Sequence, residues 1–190
     1  MESFAFPDSG FNGDLVTMDK EQALLLEFSK FLRKYLLAKE CFLHEQLLDA
    51  YSSIESALHH WARIVILEQG ELPEVTLWEQ AKRVNPGVYK MYEELMFSSE
   101  TIEQRIQLIL LACEFAVMSK MELCCEPLLR LLRSRQQGWT IEELQSQPAL
   151  GGLPIDWGQL LGKMVQKSLI HRLSLGTDSL TEEAEIRYVK

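Results

Sequence analysis

The chain has 190 residues, of which 47% are hydrophobic and 25% charged, and its formal net charge at pH 7 is −9. This composition is typical of a soluble globular protein and excludes the disordered and fibrous classes. No apolar run approaches the roughly 18–20 residues that span a bilayer, and the N-terminus lacks the basic region and apolar core of a secretory signal.

The first residues of the chain differ in composition from the rest. Residues 1–18 mix Gly, Pro, Asp, Ser and Asn with isolated phenylalanines, which predicts a linker or leader. From Asp19 onward, apolar residues recur at spacings of three and four and indicate a first helix with a buried stripe. The next predicted helix extends from about Gln46 to Gln69 and stops at Gly70.

Three more predicted helices complete the first part of the chain. The segments PEVTLWEQAKRV and VYKMYEELMF predict two short helices separated by the NPG turn at 85–87. Thr101 and Gln104, at the spacing of a capping box, then open a strongly apolar helix, which we place at the centre of the bundle. Residues 19–121 therefore predict a bundle of about five helices without strands.

The pattern changes at Pro127, and residues 122–190 predict a second, smaller domain. EPLLRLLRSRQ predicts a short helix that ends at Gly138 and Trp139, and the TIEE capping box at 140–143 opens another. WGQLLGKMVQKS adds a third helix, and LIHRLSL and EIRYV have strand composition. Three short helices followed by a two-stranded ribbon are the outline of a winged helix-turn-helix. The predicted fold class is therefore mainly α, with a helical bundle followed by a small α+β domain.

The second predicted helix carries an unusual polar face. On a helical wheel of about 100° per residue, one side of the segment IESALHHWARIVILEQG is apolar. Glu55, His59 and Arg63 follow one another four residues apart, so their side chains can touch along a ridge. The full polar set is Ser52, Glu55, Ser56, His59, His60 and Arg63.

This polar face has three interpretations. It can be the solvated side of an amphipathic helix. It can also line a groove, since Ile64 and Ile66 flank it and indicate partial cover, and the histidines with Arg63 could then hold a phosphate or another anion. A metal site is weakly supported, because His59 and His60 are adjacent and point about 100° apart.

Enzyme signatures are absent from the sequence. It contains no GxGxxG motif, P-loop, GxSxG motif or suitably spaced Cys–His pair. It also lacks the Gly-Ser turn and spaced aspartates that would hold magnesium for nucleotidyl transfer. We therefore expect no catalytic residue and no resident metal or cofactor. Magnesium and a nucleotide are expected to bind only if a catalytic domain is supplied elsewhere.

Basic residues in the predicted winged helix indicate an alternative function, which is DNA binding. Lys163, Lys167 and Arg172 lie on or just after its third helix, where they would face phosphates or base edges. Three cations are few for a specific DNA-binding protein, since such proteins typically neutralise several phosphates. Residues 1–120, with 11 basic and 19 acidic residues, would repel DNA, whereas residues 121–190, with 8 and 9, are nearly neutral.

The cysteines indicate the compartment. Cys41, Cys113, Cys124 and Cys125 show neither the spacing of a disulfide scaffold nor that of a zinc knuckle. We therefore expect reduced, partly buried thiols in a cytoplasmic protein.

The helical part of the chain resembles a bacterial family. The segment YSSIESALHHWARIVILEQGELPEVTLWEQAKRVNPGVYKMYEELM, followed by the winged-helix segment, is similar to the YgxA-type nucleotidyltransferase-like proteins of Gram-positive bacteria. The resemblance covers roughly residues 20–175, and LHHWAR and PEVTLWEQ are its most specific segments. It implies three modules: an N-terminal nucleotidyltransferase fold, a helical substrate-binding domain and a C-terminal winged helix.

The chain departs from that pattern, because it begins near the expected start of the helical module. We therefore expect the non-catalytic substrate-binding and winged-helix portion of a nucleotidyltransferase-like protein. In this interpretation Glu55, His59, His60 and Arg63 line a cleft for a nucleotidyltransferase domain and an anionic substrate. A second copy of the chain is the other expected partner. The alternative is a DNA-binding winged-helix regulator whose bundle senses a ligand or dimerises.

Overall fold

A computed structural model of the chain describes residues 18–150, 152–175 and 185–190. Within these residues the fold is mainly helical, as predicted, with one two-stranded sheet. The predicted leader lies outside the described residues except for Met18. The elements are α1 (Lys20–Leu43), α2 (Leu47–Glu68), α3 (Leu77–Val84), α4 (Pro86–Phe97), α5 (Ile102–Cys124), α6 (Glu126–Arg133), α7 (Ile141–Gln145), α8 (Trp157–Gln166), β1 (His171–Leu175) and β2 (Glu185–Val189).

Capping residues set the helix boundaries. α2 ends just before Gly70, whose φ of 81° glycine adopts without steric cost. Thr101 and Gln104 form the predicted capping box of α5, and Thr140 and Glu143 form that of α7. Each box satisfies two backbone N–H groups that a helix start leaves unpaired, which is why local sequence was enough to locate these starts.

The core is built on the hairpin of α1 and α2. These two helices pack antiparallel, and α5 packs against both. Phe28 and Ile54 are completely buried between them, and the same apolar cluster continues to Leu161 of α8. The predicted domains 19–121 and 122–190 thus share one apolar core.

The position of α5 differs from the central one that we predicted. Only one side of this helix is buried, and Leu111 and Phe115 on the other side are 58% and 64% exposed. Because α5 is apolar on several sides, its sequence does not reveal which side the neighbouring helices α1, α2 and α4 cover.

The C-terminal part has the predicted order of three short helices and two strands. β1 and β2 are antiparallel, with His171 opposite Val189. The first of these helices ends at Arg133, earlier than predicted, and Trp139 pairs instead with Tyr188 of β2 through two backbone hydrogen bonds. This order agrees with a winged helix, but that finer assignment stays a prediction.

Two expectations from composition bear on the described residues. None of their helices is long and apolar enough to cross a membrane. All four cysteines are buried free thiols. Burial raises the pKa of Cys124 to about 12, so this thiol is protonated near neutral pH and is a poor nucleophile.

Candidate functional site

The polar face of α2 contacts two different neighbours. His59 and His60 diverge, as adjacent helical residues must. The ring of His59 packs against aromatic rings of α3 and α4, whereas His60 bonds to α1. Glu55, His59, His60 and Arg63, which we call the α2 polar face, are all partly buried. The face is therefore neither fully exposed to solvent nor fully buried.

A buried carboxylate of α1 organises one side of this face. Glu27 is 0% exposed, and its Oε2 accepts a hydrogen bond of 2.7 Å from Nδ1 of His60. Lys30 Nζ lies 3.5 Å from Oε1, and Arg63 is close enough to act on the carboxylate electrostatically. Burial raises the pKa of Glu27, but His60, Lys30 and Arg63 outweigh burial and lower it. We call these four residues the Glu27 cluster.

Aromatic rings form the other side. Trp78 of α3 and Tyr92 of α4 stack with centroids 3.8 Å apart and planes at 15°. The His59 ring meets Trp78 edge-on at 5.0 Å. His59 Nδ1 lies 3.1 Å from the Glu55 carbonyl oxygen, to which it donates, so Nε2 is the ring nitrogen left to accept a bond in the neutral ring. Burial, followed by the charge of Glu55, raises the pKa of Tyr92.

Several buried polar atoms near the α2 polar face lack hydrogen bonds. Among the described residues, the indole Nε1 atoms of Trp61 and Trp78 have no acceptor, and Glu27 Oε1 has the Lys30 ammonium at 3.5 Å but no hydrogen bond. A buried polar group without a hydrogen bond costs about 1–3 kcal/mol, so native proteins rarely keep one unsatisfied. Bound water or a polar ligand are the groups that satisfy such atoms.

Sequence reasoning missed Glu27, Lys30, Trp78 and Tyr92. One signal for Glu27 was present: it follows Leu24, Leu25 and Leu26 and precedes Phe28, so it interrupts the buried stripe of α1. A carboxylate at such a position requires a cationic partner from another element. No comparable signal marks the stacked aromatic residues, since their pairing depends on how α3 and α4 pack.

The basic residues of the predicted winged helix are largely occupied within the chain. Lys163 has a side chain only 7% exposed, and its Nζ lies 3.7 Å from Glu114 Oε1 of α5. Lys167 bonds to the same oxygen at 2.9 Å. Lys39 of α1 lies 3.7 Å from Glu114 Oε2, whereas Arg172 on β1 is exposed. Of the three residues assigned to DNA contact, only Arg172 is thus on the open surface.

Comparisons with known proteins agree with this architecture. Residues 21–120 match a family model described as the YgxA-like substrate binding domain. Over 152 residues the chain is 36% identical to the uncharacterized protein YgxA of Bacillus subtilis (strain 168), covering 80% of this chain and 51% of that protein. It is also similar to the crystal structure of a nucleotidyltransferase-like protein from Exiguobacterium sibiricum, with a TM-score of 0.81 and 37% identity. That match covers 90% of this chain and 60% of the solved chain, so both relatives are considerably longer than this sequence.

Proposed function

The chain belongs to the YgxA-like substrate binding domain family, and from this premise we propose that it is the substrate-binding and C-terminal portion of a nucleotidyltransferase-like protein. The α2 polar face lines the cleft that meets the nucleotidyltransferase domain and its substrate. Magnesium and the nucleotide are brought by that domain, and this chain contributes binding and positioning.

The observation that carries this proposal is the partly buried polar face within the segment that matches the family. The α2 polar face, the Glu27 cluster and the Trp78–Tyr92 pair all lie in residues 21–120. An ordinary solvated face would be open to water along its length. Here the polar atoms are instead flanked by a buried ionic cluster and stacked rings.

The Glu27 cluster supports an anionic ligand. It contains one carboxylate and two permanently charged side chains, Lys30 and Arg63, so its charge is positive even when His60 is neutral. The buried carboxylate restrains the cationic side chains and leaves less conformational entropy to be lost on binding. The guanidinium can add charge-assisted hydrogen bonds to a phosphate or carboxylate.

We expect Arg63→Ala to weaken binding of inorganic phosphate, a simple anionic probe of the α2 polar face, at least tenfold, as measured by isothermal titration of the purified chain. Loss of one charge-assisted hydrogen bond typically costs about 1.5–3 kcal/mol, which corresponds to about 10–150-fold in affinity. Arg83→Ala is the matched control, because Arg83 lies on α3 with a side chain 63% exposed and bonds to Glu71, away from the α2 polar face.

Thermal denaturation of the same variants separates binding from folding. Under the proposal, Arg63→Ala lowers the melting temperature only slightly while binding falls. A large drop in melting temperature with unchanged affinity would make Arg63 a structural residue. Equal binding by Arg63→Ala and Arg83→Ala would exclude the α2 polar face as the site.

The C-terminal part is proposed to be a winged helix that packs against α1 and α5. Its order of three helices and two antiparallel strands supports the first half of this statement. Lys163 and Lys167 support the second, because both are engaged by Glu114 and so are not directed toward a nucleic acid.

We expect the chain to show no salt-sensitive retention on double-stranded DNA. DNA affinity depends on the number of phosphates that free cations neutralise, and the exposed cation of the set is Arg172. Electrophoretic mobility shift at several salt concentrations measures this. Retention that falls with salt and is lost in Arg172→Ala, a change at the surface, would favour the DNA-binding regulator instead.

A further inference from the structure

The outer face of α5 carries a row of large apolar side chains. Leu108, Leu111, Phe115 and Met118, which we call the α5 stripe, are 44%, 58%, 64% and 57% exposed. Their spacing of three, four and three residues places them on one side of the helix. The stripe is about 15 Å long at 1.5 Å per residue. The largest exposed apolar patch of a protein is often a functional contact surface.

We infer that the α5 stripe is the contact surface between two copies of this chain, arranged about a two-fold axis. The stripe faces away from α1 and α2, against which the buried side of α5 packs. The α2 polar face is instead flanked by α1, α3 and α4. A dimer through α5 therefore leaves the proposed ligand site open and does not depend on it.

The surroundings of the stripe favour an apolar occupant. The exposed neighbours Gln107 and Ser119 are uncharged. The two charged residues in the middle of α5 are already engaged: Glu114 binds Lys39 of α1 and Lys163 of α8, and Lys120 binds Glu68. Between Leu108 and Met118, the only charged residue of α5 is Glu114, which is already engaged, so an apolar surface matches the stripe better than a strongly charged one.

The stripe is complementary to itself in an antiparallel arrangement. With the two-fold axis at residue 113, Leu111 faces Phe115 of the second copy and Leu108 faces its Met118. Polar residues then meet polar residues, since Gln107 faces Ser119 and Gln104 faces Glu122. No like charges are opposed in this register. Self-complementarity of one patch is what a two-fold interface requires, and antiparallel packing of ridges into grooves is a common helix geometry.

The stripe alone is smaller than a standard protein–protein interface. Its four side chains are 44–64% exposed, and together they offer less than the ~800 Å² per partner that stable interfaces bury. The polar flanks add a rim to this apolar centre. A contact of this size is typical of weak, transient association, so the expected dimer is reversible and depends on concentration.

Sedimentation equilibrium of the full chain over a hundredfold range of concentration tests the proposal. The wild-type chain is expected to shift from monomer to dimer as concentration rises. Phe115→Lys should weaken the dimer at least tenfold, because two lysines would enter an apolar contact. The matched control is Leu48→Lys, at a position 78% exposed outside α5, which should dimerise like the wild type. Circular dichroism verifies that each variant is folded.

A charge pair tests the register. In the proposed arrangement residue 111 of each copy faces residue 115 of the other, so Leu111→Glu combined with Phe115→Lys forms two intermolecular ion pairs. This double variant should dimerise more strongly than either single variant. A dimer that Phe115→Lys leaves unchanged would overturn the proposal. So would a wild-type chain that is monomeric throughout, and the stripe would then be assigned to the part that the longer relatives carry.

Discussion

Replacing Glu27 with Ala is expected to lower the free energy of unfolding by about 2–4 kcal/mol. Glu27 is completely buried, and its carboxylate is the shared partner of His60 and Lys30. Removing one member of a fully buried ion pair typically costs about 3–5 kcal/mol, because the other charge is left without compensation. We expect somewhat less here, since the Lys30 side chain is 26% exposed and can be solvated by water.

Urea denaturation at neutral pH measures this loss. Glu40→Ala is the control on the same helix, where an exposed side chain should change stability by no more than about 0.5 kcal/mol. The pKa of Glu27 is lowered in the folded state, so its contribution is present above the ordinary value of 4.5 and is lost as pH falls through the lowered value. Equal stability of Glu27→Ala and Glu40→Ala would show that the Glu27 cluster holds no net stabilising interaction.

The sequence predicted those features that short-range physics determines. The capping boxes at Thr101 and Thr140 are complete within four residues, and both were located correctly. Gly70 ended α2 where expected, because the positive φ needed there favours glycine. The antiparallel strands were likewise recognisable from alternation and composition within five-residue segments.

Features that depend on packing between distant elements were harder to predict. The apolar sequence of α5 satisfies a central position and a surface position equally, and only the arrangement of α1, α2 and α4 decides between them. Lys163 looked available for a phosphate because its partner, Glu114, is distant in sequence and on a different helix.

The candidate site combines a feature that local sequence predicts with contacts that depend on the packing of distant helices. The α2 polar face was predictable because helical periodicity places Glu55, His59 and Arg63 on one ridge. Its partners on α1, α3 and α4 were not, since the hydrogen bond from His60 to Glu27 joins residues 33 positions apart. The resemblance to the family did not supply these contacts, because it implied a substrate-binding bundle without specifying which residues touch inside it.

Glu114→Gln is expected to destabilise the chain by about 2–4 kcal/mol at neutral pH and to make its stability less sensitive to acid. Glu114 joins three helices: it accepts a hydrogen bond from the hydroxyl of Tyr35 on α1 and binds Lys163 of α8 and Lys167, which directly follows α8. The amide cannot neutralise these lysines. Burial already lowers the pKa of Lys163, and the charges of Lys167 and Lys39 lower it further, so the variant should favour loss of its proton.

The acid dependence arises from the carboxyl group of Glu114. Burial alone raises its pKa, but the hydrogen bonds from Tyr35 and Lys167 and the charge of Lys163 outweigh burial and lower the pKa to about 2. Because the folded value lies below the ordinary 4.5, the group stabilises the fold above pH 4.5, and this contribution is lost as pH falls toward 2.

The stability gap between wild type and Glu114→Gln, measured by urea denaturation from pH 7 to pH 2, should therefore close over that interval. Glu103→Gln, at an exposed position on the same helix, should follow the wild type at every pH. A gap that stays constant down to pH 2 would mean that Glu114 stabilises the junction through packing, without its charge.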